Sequence, residues 1–305
     1  MMRFPFWTVD VFTDRVFAGN PLAVVGDATG LSTDQMQLIA REFNLSETTF
    51  VLPPENDEQT FRLRIFTPAR ELAFAGHPTV GSAFVLAATG RIPMGPNGTR
   101  IVFGENVGPV QVDIRAKSGR PVSSQLLAAR VPEWGPPPPA PELLAAALEL
   151  DASDLLVTDD DRPASLSCGT PFLFVPLASL DAVRRARINR HAWDTTLTTP
   201  WTESVFLFSH QAEAPDATVH ARMFAPTFGV PEDPATGSAA AAFAGYLGRR
   251  HALANGTGRW VVEQGIEMGR PSRMEVEADA TDGEITAVRV AGPSVIVGEG
   301  YLNIP

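Results

Sequence analysis

The chain has 305 residues, of which 44% are hydrophobic and 19% are charged, and its formal net charge is −11. This composition is typical of a globular protein with a large core, and so acidic a surface repels the phosphates of nucleic acids. No apolar run reaches the roughly 18 residues of a membrane-spanning helix. We therefore expect neither nucleic acid nor membrane as a partner.

The N-terminal segment carries Asp10 and Asp14 and has no long apolar core, so it predicts a strand and not a signal peptide. The single cysteine, Cys168, excludes an intrachain disulfide, which agrees with a reducing compartment. We expect a cytoplasmic protein. Runs of Val, Ile, Phe and Thr between polar, Gly or Pro turns predict strands in the first half at 5–12, 21–25, 48–52, 61–66, 100–103 and 109–114.

Helices are predicted at 33–43 and 78–89, and Gly90 suits the position after the end of the second. A proline run in "EWGPPPPAPELLAAALEL" then precedes a predicted helix at 141–149, with Pro141 in its first turn. The second half also predicts helices at 179–187 and 237–250 and strands at 172–177, 204–208, 218–224, 260–263, 272–278, 285–291 and 294–297.

Two regions of the chain repeat the same order of features. Each has a glutamate before a Phe-containing strand, Glu47 and Glu203, and then an Arg-x-Phe-x-Pro motif that begins at Arg64 or Arg222. A Gly-containing turn and a helix of small apolar residues follow in both regions. A repeat this long indicates two similar lobes and not a solenoid.

The proline run marks the boundary between the lobes, which we place between about residues 118 and 140. The N-terminal lobe is assigned to 1–118 and the C-terminal lobe to 119–292. The elements do not alternate regularly as βαβ units, which favours a mixed α+β fold with mostly antiparallel strands. The helix at 237–250 is apolar on most faces, as buried helices are. We expect the strands of each lobe to surround a central helix.

Both repeats contain a turn that starts a helix, at Gly76-His77 and at Asp233 to Gly237-Ser238. In one interpretation these are only helix starts, where Asp233 offsets the helix dipole and His77 is a cap. In the other, the N–H groups at the two starts face each other across a cleft and bind a carboxylate or a developing enolate. Ser238 is then a binding group, because its surroundings lack the G-x-S-x-G elbow of serine hydrolases.

Glu47 also has two interpretations. The segment from Asn44 to Glu47 has the outline of a capping box, but the β-branched and aromatic residues 48–52 predict a strand. Most carboxylates at strand starts are solvated, and the repeat partner Glu203 favours a structural role. A general base at Glu47 needs a buried position that makes it basic near the working pH.

Several cofactor signatures are missing from the sequence. The five histidines do not form an H-E-x-x-H pattern, and the chain has neither a P-loop nor a strand–GxGxxG–helix unit. The single lysine, Lys117, lies in the turn-like segment "RAKSGRP", which is a poor place for a Schiff-base lysine. We therefore expect no metal and no cofactor.

The segments "VDVFTDRVFAGNPLAVV", "NLSETTFV", "RIFTPARELAFAGHPTVGSA", "PEDPATGSAAAAFAGYL" and "EQGIEMGRPSRMEV" resemble the PhzF-like proteins of phenazine biosynthesis. The match runs in order along nearly the whole chain. The resemblance implies the diaminopimelate epimerase-like fold, with two pseudo-symmetric lobes, each a mostly antiparallel β-barrel-like sheet around a central helix, and an active site in the cleft between them. It also implies a last strand, about 293–305, that returns to the first lobe, and a homodimer.

In the phenazine enzyme of this family, a glutamate moves a proton on a dihydro-hydroxyanthranilate without a cofactor, and Glu47 matches that base. Related epimerases and racemases carry a cysteine at each helix start, where this chain has Ala75 and Ala235. Two-thiol racemase chemistry is therefore excluded. The substrate-binding positions that the resemblance implies are Asn20, Gly76, His77, Asp233, Gly237 and Ser238.

The leading hypothesis is a cofactor-independent isomerase that shifts a proton on a small carboxylate-bearing metabolite. Glu47 would remove the proton and return it elsewhere on the same face of the substrate. Two alternatives remain open at this point. One is a dehydratase or hydrolase that uses the same acid–base site, and the other is a non-enzymatic metabolite-binding protein.

Overall fold

The computed structural model describes residues 2–304, and the chain divides into two compact units. The first unit contains the chain up to Ala129 and the stretch from Ala291 onward, and the second runs from Arg130 to Val290. The sequence predicted a boundary between about residues 118 and 140, a range that contains this division, and ended the first lobe at residue 118. In the structure, the residues that follow position 118 form one more antiparallel strand of the first unit, so the division falls later.

Short strands rich in β-branched and aromatic residues form most of the first unit. Its two helices are α1 (Thr33–Phe43) and α2 (Gly76–Ala88). Its first eight strands are β1 (Met2–Val11), β2 (Asn20–Val25), β3 (Glu47–Leu52), β4 (Phe61–Phe66), β5 (Glu71–Leu72), β6 (Gly98–Glu105), β7 (Gly108–Lys117) and β8 (Arg120–Leu127).

The second unit has more helices, and most of them are short. They are α3 (Pro141–Ala147), α4 (Leu180–Arg185), α5 (Arg190–Thr196) and α6 (Gly237–Arg250), with 3-10 turns at Ala152–Asp154 and Pro226–Phe228. The strands are β9 (Glu133–Trp134), β10 (Ala164–Ser167), β11 (Pro171–Pro176), β12 (Val205–Ser209), β13 (Val219–Ala225), β14 (Val230–Asp233), β15 (Gly256–Gln264), β16 (Ser272–Thr281) and β17 (Glu284–Gly292). The last strand, β18 (Ser294–Ile304), belongs to the first unit.

The two units repeat one order of strand pairing. In the first, β2–β3 is parallel, β3–β4 antiparallel, β4–β6 parallel and β6–β7 antiparallel. In the second, β11–β12, β12–β13, β13–β15 and β15–β16 follow the same order. The first unit extends its sheet with β1, which pairs antiparallel with both β2 and β18. The repeat read from the sequence is therefore a repeat of topology.

A buried helix lies at the centre of each unit. Helix α2 contacts β1, β2, β3, β7, β8 and β18, and α6 contacts β10, β11, β15 and β16. A Cβ atom at Gly81 of α2 would lie 2.6 Å from Val11 Cγ2 and 2.8 Å from Leu22 Cδ2. The missing side chain lets the helix approach the sheet this closely.

Aromatic side chains fill the interior of the second unit around α6. Phe243 is fully buried, and its ring centroid lies 4.6 Å from that of Phe208, 5.2 Å from that of Phe206 and 5.6 Å from that of Phe174. Burying a phenylalanine contributes roughly 1.5–3 kcal/mol, so this cluster is a main source of the unit's stability. It also holds α6 in a fixed position.

Helices α2 and α5 differ from the sequence prediction in ways that have a clear physical reason. Helix α2 begins at Gly76, two residues before the predicted start, so Pro78 lies within the first turn and not at its first position. Helix α5 was not predicted, because its segment "RHAWDTT" lacks an apolar period. The structure supplies the missing signals: Ala192 N donates to the side chain of Asn189 at 3.1 Å as an N-cap, and Trp193 is fully buried.

Candidate active site

Glu47 is the first residue of β3, where the β-branched run begins. The capping-box alternative is wrong, because Asn44 ends α1 in the left-handed conformation instead of starting a helix. The parallel ladder places Glu47 opposite Leu22 of β2. Its side chain is 16% exposed, so the carboxylate is largely enclosed and still partly accessible.

His77 is the second residue of α2 and lies against two residues from other elements. The Asn20 Nδ2 atom is 3.2 Å from His77 Nδ1, and Ser46 Oγ donates to Asn20 Oδ1 at 3.1 Å. Because an amide nitrogen can only donate, His77 Nδ1 accepts, and the proton of the neutral ring is on Nε2. His77 Nε2 lies 3.2 Å from Glu47 Oε2, a close polar contact that does not have the alignment of a hydrogen bond.

The charge state of His77 follows from its burial. Burial lowers the pKa of His77 to about 3, so the ring is neutral throughout the neutral pH range. A cationic imidazolium at this distance would stabilise the Glu47 carboxylate and make it a weaker base. The neutral ring packs against the carboxylate and adds no positive charge.

The strand register separates Glu47 from its presumed repeat partner. Thr48 pairs with Phe66 across β3–β4, and Val205 pairs with Phe224 across β12–β13. Since the two phenylalanines occupy the same place in the Arg-x-Phe-x-Pro motif, the residue that corresponds to Glu47 is Ser204 and not Glu203. The predicted correspondence between Glu47 and Glu203 is therefore wrong by one residue. The repeat no longer favours a purely structural role for Glu47, because its counterpart is not a carboxylate.

The start of α6 is held by a hydrogen-bonded network in the second unit. Thr236 Oγ1 donates to Asp233 Oδ2 at 2.5 Å, and Gln264 Nε2 donates to the Asp233 carbonyl at 2.7 Å. The Thr236 N–H donates to Gln264 Oε1 at 3.3 Å. The network fixes the Asp233 carboxylate beside the first turn of α6. Neither Thr236 nor Gln264 was predicted from the sequence to support the site, because their role depends on the pairing of β13 with β15.

The other predicted positions lie at the two helix starts. Gly76 and Gly237 are the first residues of α2 and α6, and both are buried. Ser238 follows Gly237 and is partly exposed. The first N–H groups of a helix have no partner within it, so both starts offer donors for an anion. Asn20, Glu47, Gly76 and His77 therefore gather in the first unit, and Asp233, Gly237 and Ser238 in the second.

Three observations bear on other chemistries. Burial raises the pKa of the Cys168 thiol to about 12, so this cysteine does not supply a thiolate at neutral pH. Within residues 2–304, no cluster of His, Cys, Asp and Glu has the arrangement of a metal site. Across the same described residues, no helix is both long and apolar enough to cross a membrane.

A groove in the second unit lies apart from the predicted site residues. Its walls include the proline rings of 136–138, Trp134 and the side chains of Arg249 and Arg250. The Arg249 guanidinium carbon is 4.5 Å from the centroid of the Trp134 ring. The residues that line the groove include no carboxylate and no imidazole, so we do not assign acid–base chemistry to it.

Comparison with known proteins identifies the family. Residues 9–300 match the family described as phenazine biosynthesis-like protein, and the chain belongs to this family. An uncharacterized isomerase of Mesorhizobium japonicum is 42% identical over 97% of both chains. The trans-2,3-dihydro-3-hydroxyanthranilate isomerase of Pseudomonas chlororaphis is 34% identical over 96% of this chain and 97% of its own. The protein is therefore an isomerase.

Solved structures agree on the fold. A phenazine biosynthesis protein of the PhzF family from Bacillus anthracis has a TM-score of 0.86 and 26% identity, with 100% of both chains covered. A hydroxyproline epimerase from Agrobacterium vitis has a TM-score of 0.66 at 14% identity, covering 98% of this chain and 92% of that one. The similarity to the hydroxyproline epimerase shows a shared fold and nothing more. The predicted diaminopimelate epimerase-like fold class is confirmed.

Proposed function

We propose that the protein is a cofactor-independent isomerase that moves a proton within a small carboxylate-bearing metabolite, with Glu47 as the acid–base residue. The contact between His77 Nε2 and Glu47 Oε2 carries the proposal. It joins a carboxylate of limited exposure to an imidazole whose proton position is set by Asn20. Such an arrangement holds one carboxylate ready to accept a proton and to return it.

The reaction begins when the Glu47 carboxylate takes a proton from a carbon beside an unsaturated or carbonyl group. His77 packs against the carboxyl group on one side, and its neutral state adds no positive charge there. Glu47 then returns the proton to another carbon on the same face. A positioned acid–base group supplies about 10²–10⁴-fold, so backbone donors that stabilise the anionic intermediate must contribute much of the remaining rate enhancement.

The substrate belongs to the same proposal. Asn20, Gly76, Asp233, Gly237 and Ser238 are proposed as substrate-binding residues, since helix-start N–H groups bind carboxylates and the Asp233 carboxylate can accept from an amine or a hydroxyl. The relative from Pseudomonas chlororaphis supplies the first compound to test, trans-2,3-dihydro-3-hydroxyanthranilate. A cytoplasmic location, expected from the sequence, and a homodimer, expected from the family resemblance, remain predictions.

The decisive experiment compares Glu47→Gln with the wild-type enzyme on this compound and on a panel of related small carboxylates. Turnover and deuterium uptake are followed by NMR in heavy water. We expect Glu47→Gln to stay folded and to lose about 10²–10⁴-fold in kcat, because the amide cannot accept the proton. Glu203→Gln is the matched control and keeps the native rate, since Glu203 lies in a bend before β12.

Two outcomes would contradict the proposal. A folded Glu47→Gln variant that turns over the substrate at the native rate removes Glu47 from the chemistry. Incorporation or loss of oxygen in isotopically labelled water would show hydrolysis or dehydration, because a proton shift leaves the oxygen atoms of the substrate in place.

A further inference from the structure

A second carboxyl group in the first unit is buried near the start of α2. Glu105 is the last residue of β6 and is only 6% exposed. Its Oε1 atom lies 2.7 Å from Thr79 Oγ1, in the first turn of α2. Its Oε2 atom has no hydrogen-bond partner among residues 2–304. An ionised carboxylate in this position would leave a charged oxygen unsatisfied, which is costly.

The hydrogen atoms around Thr79 determine the protonation state of Glu105. Thr79 Oγ1 is also 2.8 Å from the carbonyl oxygen of Ala75, and a carbonyl oxygen can only accept. The hydroxyl has one hydrogen for two short oxygen–oxygen contacts, and the carbonyl cannot supply a second. A proton on Glu105 satisfies both contacts, with Glu105 donating to Thr79 and Thr79 donating to the carbonyl. The resulting chain runs from the Glu105 O–H to the Thr79 O–H to the Ala75 carbonyl.

The electrostatic surroundings agree with a neutral Glu105. Arg62 of β4 is the charged side chain that acts on it, and this guanidinium already donates to the carbonyls of Leu63 at 2.8 Å and Gly104 at 2.6 Å and to Glu55 at 3.1 Å. Burial raises the pKa of Glu105 to about 8, and the charge of Arg62 opposes this rise only in part.

The second unit has an uncharged side chain at the corresponding place. Arg62 pairs with Gly104 in the parallel β4–β6 ladder, and His220 pairs with Glu263 in the parallel β13–β15 ladder. Arg62 and His220 each precede the Arg-x-Phe-x-Pro arginine by two residues. The residues that follow Gly104 and Glu263 are Glu105 and Gln264, so these two correspond.

Gln264 binds the N-cap residue of α6, since it contacts both the N–H and the hydroxyl of Thr236. Glu105 reaches Ala75, the N-cap residue of α2, through Thr79. A protonated carboxyl group and a primary amide have nearly the same shape, and both can donate one hydrogen bond and accept another. Both units therefore fix the start of their central helix with a neutral side chain at the same step of the sheet.

We propose that Glu105 is a positioning residue that acts as a neutral carboxylic acid and, through Thr79, fixes the first turn of α2, including Gly76 and His77. Glu105 does not touch the reacting atoms. Its effect on catalysis rests on the proposed function, because it passes through His77 to Glu47. Its protonation and its effect on the fold do not depend on any substrate.

The first test needs no substrate and compares the wild type with Glu105→Gln by urea unfolding from pH 5 to 10. A folded-state pKa above the unfolded value means that the folded protein holds the extra proton, so wild-type stability falls as the pH rises from about 4.5 to 8. The ratio of the folding constants, Glu105→Gln over wild type, should rise up to about tenfold per pH unit in this window and level off above it. A ratio independent of pH would overturn the proposal.

Infrared spectroscopy gives the second test, in which the pH dependence is measured on the wild type and the band is assigned by comparison with Glu105→Gln. The carbonyl band of a protonated carboxylic acid should be present at pH 6, should vanish above pH 8 to 9 and should be absent from Glu105→Gln. If Glu105→Gln and the wild type have the same spectrum at pH 6, Glu105 is ionised and the proposal fails.

Activity assays then separate positioning from simple structural support. Glu105→Gln should keep kcat within about twofold, and a folded Glu105→Ala should lose about tenfold or more in kcat. Loss of activity in Glu105→Gln equal to that in Glu105→Ala would refute the role of a neutral donor. If the wild type turns over none of the compounds, the proposed function fails, and the pH and infrared tests still decide the state of Glu105.

Discussion

The pH dependence of stability at His220 provides a strict test of the electrostatics in the second unit. His220 is fully buried in β13, with Nδ1 2.7 Å from Glu263 Oε1 and Nε2 2.8 Å from Glu267 Oε1. Both ring nitrogens face carboxylates, so both donate and the ring is an imidazolium. Burial by itself lowers the pKa of His220, but the two glutamates outweigh it and raise the pKa to about 9.

The raised pKa of His220 determines how much the charged ring contributes to the free energy of unfolding. A rise from 6.5 to about 9 corresponds to about 3 kcal/mol of stability for the folded state. Because the folded-state pKa is the higher one, this contribution is complete below pH 6.5 and is lost as the pH rises to about 9. His220→Gln cannot ionise. The difference in the free energy of unfolding between wild type and His220→Gln should therefore narrow by about 3 kcal/mol between pH 6.5 and 9.5.

Urea unfolding at half-unit pH steps measures this difference, and nitrogen NMR of the imidazole follows the titration of His220 itself. His210→Gln is the control: its partner Asp161 lies 3.0 Å away at a partly exposed site, where an ion pair contributes about 0–1 kcal/mol. The imidazolium assignment is refuted if the free energies of unfolding of wild type and His220→Gln differ by the same amount from pH 6.5 to 9.5. A titration midpoint of His220 at or below 6.5 would also refute it.

Two further predictions concern α2 and the imidazole of His77. Gly81→Ala should destabilise the first unit by about 1–3 kcal/mol, because the new methyl group overlaps Val11 and Leu22. Alanine favours helices more than glycine does, so urea unfolding would show stabilisation instead if the packing argument were wrong. Asn20→Asp places an acceptor beside His77 Nδ1 and moves the ring proton there, so kcat should fall about 10²-fold. An unchanged Nε2–H tautomer in the NMR spectrum of Asn20→Asp would contradict this reasoning.

Local sequence patterns predicted those parts of the fold that local physics determines. The small apolar residues of 237–250 predicted a buried helix because almost every face is apolar, and α6 occupies this range. The β-branched run after Glu47 predicted a strand start, which the structure has. Helix α5 depends on the burial of Trp193 among residues distant in sequence, and no local pattern indicates that.

The candidate site, like the fold, was predicted only where local sequence motifs determine it. Glu47 and His77 were identified from motifs, but their contact and the tautomer set by Asn20 required the three-dimensional arrangement of β2, β3 and α2. The register of β12 against β13 corrected the partner of Glu47 from Glu203 to Ser204. Glu105 was missed because "FGENVG" has the composition of an exposed turn. Extending the repeat past its first helix would have aligned Glu105 with Gln264.

The position of the carboxylate limits the stereochemistry of the proposed reaction. Racemisation through two thiols needs one acid–base group on each face of the substrate, and the family resemblance places those thiols where this chain has Ala75 and Ala235. Ala75 supplies a methyl group, and its carbonyl accepts the Thr79 hydroxyl, so this residue contributes geometry and no proton. The proposed proton transfer uses Glu47, which lies on a strand and not at a helix start. A single carboxylate removes and returns its proton on one face, which moves a double bond and leaves other stereocentres unchanged.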